Sequence, residues 1–398
     1  MKILCVFGKH QYGDPSRGLG TEYAAFVPSL KNLGHEVIHF ESWDRRFFPD
    51  FAVLNKHLLA TIERESPHVM LAVQLNYEIW TETLKIIKDH SSVATICWTT
   101  DDSWKYREVS RFIGKAYHAM TTTYPETIPF YHRDGIFNVL LTQWAMNSAN
   151  LTAPLKAKKC IYPVTFVGAA HGNRKQQIKH LKSLGVEVAC FGYGWPSGPV
   201  PGQDIPEIMR GSVISLNFSN ASGKGEKQIK ARTFEVPGAG GFLLTEYTPG
   251  LEAVYTIEKE IDVFHNPKEL ADKIKYYLSH FHKRDQIALA GYERTRSDHT
   301  YEGRLRKVID FALLAKGHGA IDEPERLWTS FDQILRDHAM NFGLLFLRQA
   351  LVLPAVLVWG KTRGSRAARR LVFELSWRFF GKKTFTASGW PGRMFPEQ

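Results

Sequence analysis

The chain has 398 residues, of which 44% are hydrophobic and 23% are charged, and its formal net charge is +11. This composition excludes a largely disordered protein, and the length suits two domains with an appendage. Ten basic and two acidic residues follow position 340 and carry +8 of the charge, which disfavours a nucleic-acid-binding fold because such a fold has its basic stripe on the domain itself.

The four cysteines each lie in or beside an apolar, strand-like run: Cys5, Cys97, Cys160 and Cys190. They have neither CxxC nor zinc-ligand spacing, so we interpret them as buried thiols in a reducing compartment. The N-terminal run MKILCVFG is short and lacks a cleavage-site pattern, which argues against a signal peptide. A cytoplasmic location is the resulting expectation.

The first 150 residues alternate short apolar runs with amphipathic stretches, which predicts βα units and a parallel sheet. The clearest helix is Thr21–Leu33, with apolar residues near helical spacing and Gly34 as its stop. The predicted strands are Lys2–Gly8, Glu36–Glu41, His68–Gln74, Val93–Thr100, Ala119–Thr123 and Phe137–Gln143. Their apolar character on both faces predicts that helices cover both sides of the sheet.

A glycine-rich loop, GKHQYGDPSRGLG, follows the first predicted strand. It is not a dinucleotide fingerprint, because Gly18 and Gly20 match but Tyr23 occupies the third glycine position. It is not a P-loop either, since no G-K-[S/T] follows. The loop places three polar side chains at the end of this strand: His10, Asp14 and Arg17.

Two adjacent acids end the strand-like run VATICWTTDDSW. A carboxylate at this point, with Asp101 the better choice, could accept a proton from an acceptor hydroxyl. Alternatively, Asp102 or Ser103 caps the following helix. Both interpretations remain open at this stage.

A polar segment, Met146–Lys159, is predicted to link the first domain to a second α/β domain over residues 151–316. The strands predicted there are Tyr162–Gly168, Glu187–Gly192, Val213–Phe218, Gly241–Thr245 and Ile261–His265. The sequence therefore predicts two doubly wound domains. Ligands in such sheets bind beyond the carboxyl ends of the strands, and a cleft between the two domains is the expected site.

Two loops of the second domain carry candidate donor-binding residues. TFVGAAHGNR places Gly168 at the end of a strand and Arg174 at the start of a helix, where a guanidinium could bind phosphate. An ordinary βα turn is the alternative. CFGYGWP places Trp195 after the next strand, where it could stack on a nucleotide base or cap the core.

The stretch Gly223–Glu246 is predicted to contain a short helix, Lys227–Glu235, followed by a glycine-rich turn that includes Gly240. A helix N-terminus preceded by glycines favours an anion, and Lys230 and Arg232 add formal charge. Glu235 could accept hydrogen bonds from a ribose diol. A solvated basic helix with a tight turn is the alternative.

Residues 317–398 are predicted to form a helical basic extension, with a break at Gly317–Glu325 and a helix at Arg326–Met340. Gly343–Trp359 is apolar but short for a membrane span, and it contains Arg348. An amphipathic, arginine-rich stretch follows it. We expect peripheral contact of residues 341–398 with an anionic membrane; packing of these helices on the protein body is the alternative.

Three runs, KARTFEVPGAGGFLLTE, IDVFHNPKELADKIKYYL and RSDHTYEGR, resemble the glycosyltransferase family related to the spore-maturation protein CgeB. The resemblance extends from about Met1 to Arg304 and implies the GT-B fold, a nucleotide-diphosphate-sugar donor and catalysis without a metal or other cofactor. By motif position it implies that Glu235 binds the donor ribose. Lys227 stands where related families have a partner glutamate, which favours diphosphate binding by basic residues.

The resemblance further implies that the glycine-rich loop after the first strand lies near the acceptor. It also implies that the HTYEGR run has a packing role within the donor domain. The catalytic candidates are Asp101 and His10, and the acceptor-side candidates are Asp14 and Arg17. The donor-binding candidates are Gly168, Arg174, Trp195, Lys230, Arg232, Glu235 and Gly240. The leading hypothesis is sugar transfer to a carbohydrate or lipid-linked acceptor in cell-surface glycan synthesis; the alternative is a GT-B-like binding or structural protein without turnover.

Overall fold

The computed structural model describes residues 1–220, 227–317 and 331–396. The chain divides into two compact units. Unit 1 comprises residues 1–141 and 306–398, and unit 2 comprises residues 142–305. The sequence placed domain boundaries after residues 150 and 316, whereas in the structure the C-terminal segment groups with the first unit.

Unit 1 contains a six-stranded parallel sheet in the order β2-β1-β3-β4-β5-β6. Its strands are β1 (Lys2–Val6), β2 (Glu36–Phe40), β3 (Val69–Ala72), β4 (Ala94–Trp98), β5 (Ala119–Thr122) and β6 (Val139–Leu141). Strands β3, β4 and β5 are buried along their whole length, as expected where helices cover both faces of a parallel sheet.

Among the helices of unit 1 before residue 142, the first begins at Thr21, as predicted. These helices are α1 (Thr21–Asn32), α2 (Phe51–Glu65), α3 (Thr81–His90), α4 (Asp102–Lys105), α5 (Arg111–Ile113) and α6 (Ile128–Arg133). Gly34, with φ +78°, ends α1 as predicted, because the following amide of His35 turns back to the Leu30 carbonyl at 3.1 Å. At α2, the Asp50 carboxylate accepts the Val53 N–H at 2.8 Å.

Unit 2 contains a five-stranded parallel sheet in the order β11-β10-β9-β7-β8. Its strands are β7 (Tyr162–Val167), β8 (Ala189–Phe191), β9 (Ser212–Asn217), β10 (Leu243–Glu246) and β11 (Asp262–Phe264). The helices between residues 142 and 317 are α7 (Arg174–Ser183), α8 (Ile205–Arg210), α9 (Arg232–Gly238), α10 (Pro267–Ser279), α11 (Phe281–Asp298) and α12 (Tyr301–Lys316).

The predicted linker Met146–Lys159 is packed into unit 2. Met146 forms an isolated parallel bridge with Thr300, and its N–H donates to the His299 carbonyl at 2.8 Å. Arg284, which is fully buried, donates to the Leu155 carbonyl and to the carbonyls of Ser212 and Val213, all at 2.8 Å. One guanidinium therefore joins this segment to β9.

The helix predicted at Lys227–Glu235 begins later, at Arg232, and extends to Gly238. Residue 227 is instead paired with Asn220 as an isolated bridge, and the Gln228 N–H donates to the Ser219 carbonyl at 3.0 Å. Pairing with Ser219 and Asn220 therefore replaces the first turn of the predicted helix. The predicted break at Gly317–Glu325 and the start of the helix at Arg326 lie largely outside the described residues; the described part contains α13 (Asp332–His338).

The C-terminal part of unit 1 contains α14 (Phe342–Phe380) and α15 (Trp390–Met394). Gly360, with φ +75°, interrupts α14. The two parts fold back on each other, because Gly364 packs directly against the backbone of Ala355. The second part contributes Phe373, and the segment after it contributes Phe385, to the main core of unit 1.

The first part of α14 is mostly exposed. Phe342–Phe385 contains an 18-residue window with a mean hydropathy of 1.9, of which 11% is buried, so it is long and apolar enough to cross a membrane by length and composition. The exposed apolar side chains of the first part include Phe342, Phe346, Leu353, Leu357, Val358 and Trp359.

Candidate functional site

In unit 2, the loops after β7 and β8 pack closely together. The Trp195 indole N–H donates to the Gly168 carbonyl at 2.7 Å. Gly192 has φ +132°, and a Cβ at this position would lie 2.6 Å from the same carbonyl oxygen. Trp195 therefore holds the Gly168 loop in place, and only glycine fits at position 192 without strain.

Arg174 begins α7 and is buried beneath this loop. It donates from Nη1 to the Ala169 carbonyl at 2.9 Å and from Nη2 to the Phe218 carbonyl at 3.4 Å. Its Nε has no hydrogen-bond partner within the described residues. Burial, with a contribution from the charge of Arg232, lowers its pKa to about 10, so the guanidinium remains charged at neutral pH.

Further cations gather at the carboxyl ends of β7, β9 and β10. The Arg232 Nε donates to the Val167 carbonyl, and its Nη1 lies 3.6 Å from the Glu235 carboxylate. Burial lowers the pKa of His171, and the charges of Arg174 and Lys230 lower it further. The structure thus brings Arg174, Lys230 and Arg232 together around the loop that follows β7.

Glu246, at the end of β10, was missed by the sequence analysis. Its buried carboxylate accepts the backbone N–H and the hydroxyl of Ser219, both at 3.1 Å, and lies 3.4 Å from the Lys227 Nζ. Its position as an acid at the carboxyl end of a predicted strand was the available signal.

Gly240, a predicted donor-binding residue, packs against the segment at residues 152–154. It is buried with φ +80°, and a Cβ there would lie 2.5 Å from the Thr152 carbonyl oxygen. The glycine is required for close packing against residues 152–154, which is a structural role.

In unit 1, two adjacent acids follow β4 and have different surroundings. Asp102 is buried and accepts hydrogen bonds from Thr99 at 2.8 Å and from Ser110 and Tyr131 at 2.7 Å. Burial raises its pKa, although these hydroxyls favour the charged form. Asp101 is partly exposed at the N-cap position of α4, and its side chain makes no capping hydrogen bond.

Glu22, in the first turn of α1, is a further carboxylate near Asp101 that the sequence analysis missed. It is buried, and burial raises its pKa, with the charge of Asp101 adding to the effect and that of Lys105 opposing it.

The loop after β1 contains the remaining predicted residues. Asp14 accepts hydrogen bonds from the Ser16 N–H and hydroxyl at 3.0 and 2.7 Å, which lower its pKa, and it pairs with the Arg17 Nε at 3.3 Å. His10 pairs with Leu19 as an isolated bridge. Asp14 and Arg17, but not His10, line a cavity of about 610 Å³ in this unit.

Among residues 1–220, 227–317 and 331–396, no group of three or more His, Cys, Asp or Glu side chains is placed to hold a metal ion.

Residues 174–310 match the family described as "Glycosyl transferase-like". None of the curated proteins compared with the chain matches it.

Several solved structures with a similar fold are distant in sequence. Sucrose-phosphate synthase from Thermosynechococcus elongatus is 11% identical with a TM-score of 0.57, covering 79% of this chain and 99% of that one. Alr3699/HepE of Anabaena in complex with UDP is 11% identical with a TM-score of 0.52, covering 78% and 99%. Its complex with UDP-glucose is 12% identical, with the same TM-score, covering 79% and 100%.

The two units of this chain each contain a parallel sheet of Rossmann-like type, as the sequence resemblance implies. The CgeB-like subfamily stays a prediction. The chain has the GT-B fold, and its residues 174–310 match the glycosyl transferase-like family.

Proposed function

We propose that the protein transfers a sugar from a nucleotide-diphosphate-sugar donor to a carbohydrate or lipid-linked acceptor in cell-surface glycan synthesis. The observation that carries the proposal is the gathering of Arg174, Lys230 and Arg232 at the carboxyl ends of the strands of unit 2. The match of residues 174–310 to a glycosyltransferase family supports it, as do the UDP and UDP-glucose complexes of the HepE structures.

In this proposal the cations of unit 2 bind the donor diphosphate. As the bond between the anomeric carbon and the diphosphate breaks, its electron pair passes to the leaving phosphate, whose growing charge these residues stabilise. The buried Nε of Arg174 has hydrogen-bonding capacity left for a phosphate oxygen. Charge stabilisation by basic side chains would make a metal ion unnecessary.

Glu235 accepts hydrogen bonds from the donor ribose in this proposal, and Arg232 positions it through their 3.6 Å ion pair. The acceptor side lies in unit 1. In an inverting reaction, the Asp101 carboxylate takes the proton of the acceptor hydroxyl as that oxygen bonds to the anomeric carbon. His10 is the second catalytic candidate.

Isothermal titration calorimetry with UDP, GDP, ADP and their sugar conjugates tests the donor assignment. One nucleotide series should bind, and Glu235→Ala should weaken that binding about tenfold or more, since hydrogen bonds to a charged group contribute about 1.5–3 kcal/mol. Glu187→Ala is the matched control, because Glu187 is an exposed acid of the same unit. Absence of binding by every nucleotide contradicts the proposal, and equal effects of both variants remove Glu235 from the site.

A GT-B-like binding protein without turnover is the alternative function. Both proposals require donor binding, so release of free nucleotide from the bound nucleotide-sugar distinguishes them. Turnover that Asp101→Asn reduces supports the transferase. Tight donor binding without hydrolysis or transfer to any glycan or lipid-linked acceptor favours the binding protein.

We further propose that residues 342–359 attach the protein to an anionic membrane at its cytoplasmic face. Leu357 is 86% exposed and Val358 is 69% exposed, at the tip where Gly360 bends α14. Exposed apolar side chains at the end of a helical hairpin can enter one leaflet, and Lys361 directly after the bend can contact anionic headgroups.

Vesicle flotation tests this attachment. The wild-type protein should float with vesicles containing phosphatidylglycerol, and Leu357→Ser with Val358→Ser should reduce the floating fraction. Leu289→Ser is the control, because Leu289 is an exposed leucine of unit 2. Equal flotation of the wild type and all variants contradicts the proposal, and so does the absence of flotation by the wild type.

A further inference from the structure

A cavity of about 610 Å³ lies in unit 1 at the carboxyl ends of three neighbouring strands. Its walls come from the loop after β1 (residues 12–17), the loop after β2 (residues 43–46) and the loop after β3 (residues 75–78). Arg366 and Arg369, one turn apart on the second part of α14, complete the wall. This is the edge at which ligands of parallel α/β sheets bind.

Five arginines and three acids line this cavity, which we call the arginine cavity. The arginines are Arg17, Arg45, Arg46, Arg366 and Arg369, and the acids are Asp14, Asp44 and Glu78. The excess of positive charge favours an anionic ligand.

The three acids are already engaged. Asp14 pairs with Arg17 at 3.3 Å, and Asp44 pairs with Arg46 at 2.5 Å. The Glu78 carboxylate accepts the backbone N–H groups of Leu75 and, at 2.7 Å, Asn76. Each of these carboxylates is therefore already paired with groups of its own loop.

Arg45 and Arg366 have no carboxylate within salt-bridge distance in the described part of the chain. The Arg45 guanidinium lies 3.9 Å from the centre of the Phe51 ring, which fixes its plane. Burial lowers the pKa of Arg45; the charge of Glu78 opposes this effect, and that of Arg369 adds to it. Arg45 and Arg369 line the same cavity, and an anion bound between them would offset the repulsion between their charges.

The loop that carries Arg45 is held rigidly. The Glu41 carboxylate accepts the N–H groups of Trp43 at 2.9 Å, Asp44 at 3.0 Å and Lys9 at 2.7 Å. The Trp43 indole N–H donates to the Val73 carbonyl at 3.0 Å. Such an arrangement presents the arginine without the ordering cost that a mobile loop would add on binding.

We propose that the arginine cavity binds a phosphate group of the acceptor, so that the acceptor is a phosphate-bearing molecule. Arg45, Arg366 and Arg369 would donate to the phosphate oxygens, since the planar guanidinium matches phosphate in a bidentate geometry. The description of this ligand as the acceptor rests on the proposed glycosyl transfer, whereas its anionic character rests on the cavity alone.

The phosphate can come from a soluble phosphate ester or from a lipid phosphate. Arg366 and Arg369 belong to the same helix as the exposed apolar segment 342–359. A lipid phosphate at the membrane surface could therefore bind to these two arginines while the exposed apolar segment of the same helix contacts the membrane.

Calorimetric titration with inorganic phosphate tests the cavity directly. The double variant Arg366→Gln and Arg369→Gln should bind phosphate about a hundredfold more weakly or worse, because two charge-assisted contacts are lost at about tenfold or more each. Arg363→Gln, an exposed arginine of the same helix that does not line the cavity, should bind within about twofold of the wild type. Equal binding by wild type and double variant, or no binding by the wild type, overturns the proposal.

Two additional variants keep the test decisive. Arg366→Gln alone changes one exposed side chain and should weaken binding even if the double variant fails to fold. Arg174→Gln removes a cation of unit 2 instead. If Arg174→Gln abolishes phosphate binding while Arg366→Gln leaves it intact, the phosphate site lies in unit 2 and the proposal is wrong.

The source of the phosphate is separated by comparing glycerol 1-phosphate in solution with polyisoprenyl phosphate in phosphatidylcholine vesicles. Tight arginine-dependent binding of the former supports a soluble acceptor, and selective binding of the latter supports a lipid acceptor. Arginine-independent binding of both overturns the proposal. Nucleotide titrations of the same samples report on the donor separately, so phosphate binding without nucleotide binding contradicts the proposed transferase and leaves the anion site standing.

Discussion

The adjacent acids Asp101 and Asp102 allow a matched test of structural and functional roles. Replacing Asp102 by alanine leaves the hydroxyls of Ser110 and Tyr131 without their carboxylate acceptor, whereas Thr99 keeps the Thr121 carbonyl at 2.6 Å. Each lost hydrogen bond to a charged group costs about 1.5–3 kcal/mol. The free energy of unfolding should therefore fall by about 3–6 kcal/mol, which lowers the melting temperature of a unit of this size by on the order of 10 °C.

Asp101→Ala is the control, because the Asp101 side chain makes no capping hydrogen bond. It should melt within about 2 °C of the wild type and should reduce turnover by about 10²–10⁴-fold if Asp101 is the base. Circular dichroism melts and nucleotide-release assays measure both variants. The reasoning is refuted if Asp102→Ala melts like the wild type, or if Asp101→Ala is equally destabilised.

Three further changes have expected outcomes in stability. Burial lowers the folded-state pKa of His118 and of His299 from 6.5 to about 4. These groups should therefore leave the free energy of unfolding unchanged above pH 6.5 and lower it by about 1.4 kcal/mol per pH unit for each histidine from there towards pH 4, because the unfolded chain binds protons that the folded chain does not. His118→Gln should flatten this fall in denaturant titrations at pH 7 and pH 5, and an unchanged slope would contradict the assignment. Gly192→Ala should cost about 1–3 kcal/mol and weaken donor binding, since its φ is +132° and its Cβ would press on the Gly168 carbonyl; normal melting and donor affinity would exclude this strain. Arg284→Met should lower the free energy of unfolding by about 3–5 kcal/mol because three carbonyls lose their buried donor, and a melting temperature equal to that of the wild type would show that water replaces the guanidinium.

The strands were predictable because their pattern is local. Runs such as Ala94–Trp98 are apolar on both faces and bounded by polar turns, so the sequence alone identified them within about two residues. The start of α9 at Arg232 was not predictable in this way. It depends on the bridge between Asn220 and Lys227, and no local signal reports such a pairing.

The site was partly predictable for the same reason. Arg174 follows a strand and a glycine loop, which is a local signal of a ligand-binding turn. Glu22 and Arg45 have no such motif, because their roles depend on neighbours from distant parts of the chain, Asp101 and Arg369. Trp195 was correctly placed at a strand end, but its indole is engaged by the Gly168 carbonyl.

The division of unit 1 into two stretches of sequence has a consequence for biosynthesis. Residues 142–305 are continuous, so unit 2 can fold as soon as it leaves the ribosome. Unit 1 must wait for Phe373 and Phe385, which complete its core. Residues 1–141 therefore keep part of their apolar surface uncovered until residues 373–385 have been synthesised. We expect chaperones to bind this part of the nascent chain, and a stop codon before residue 373 to leave it unfolded.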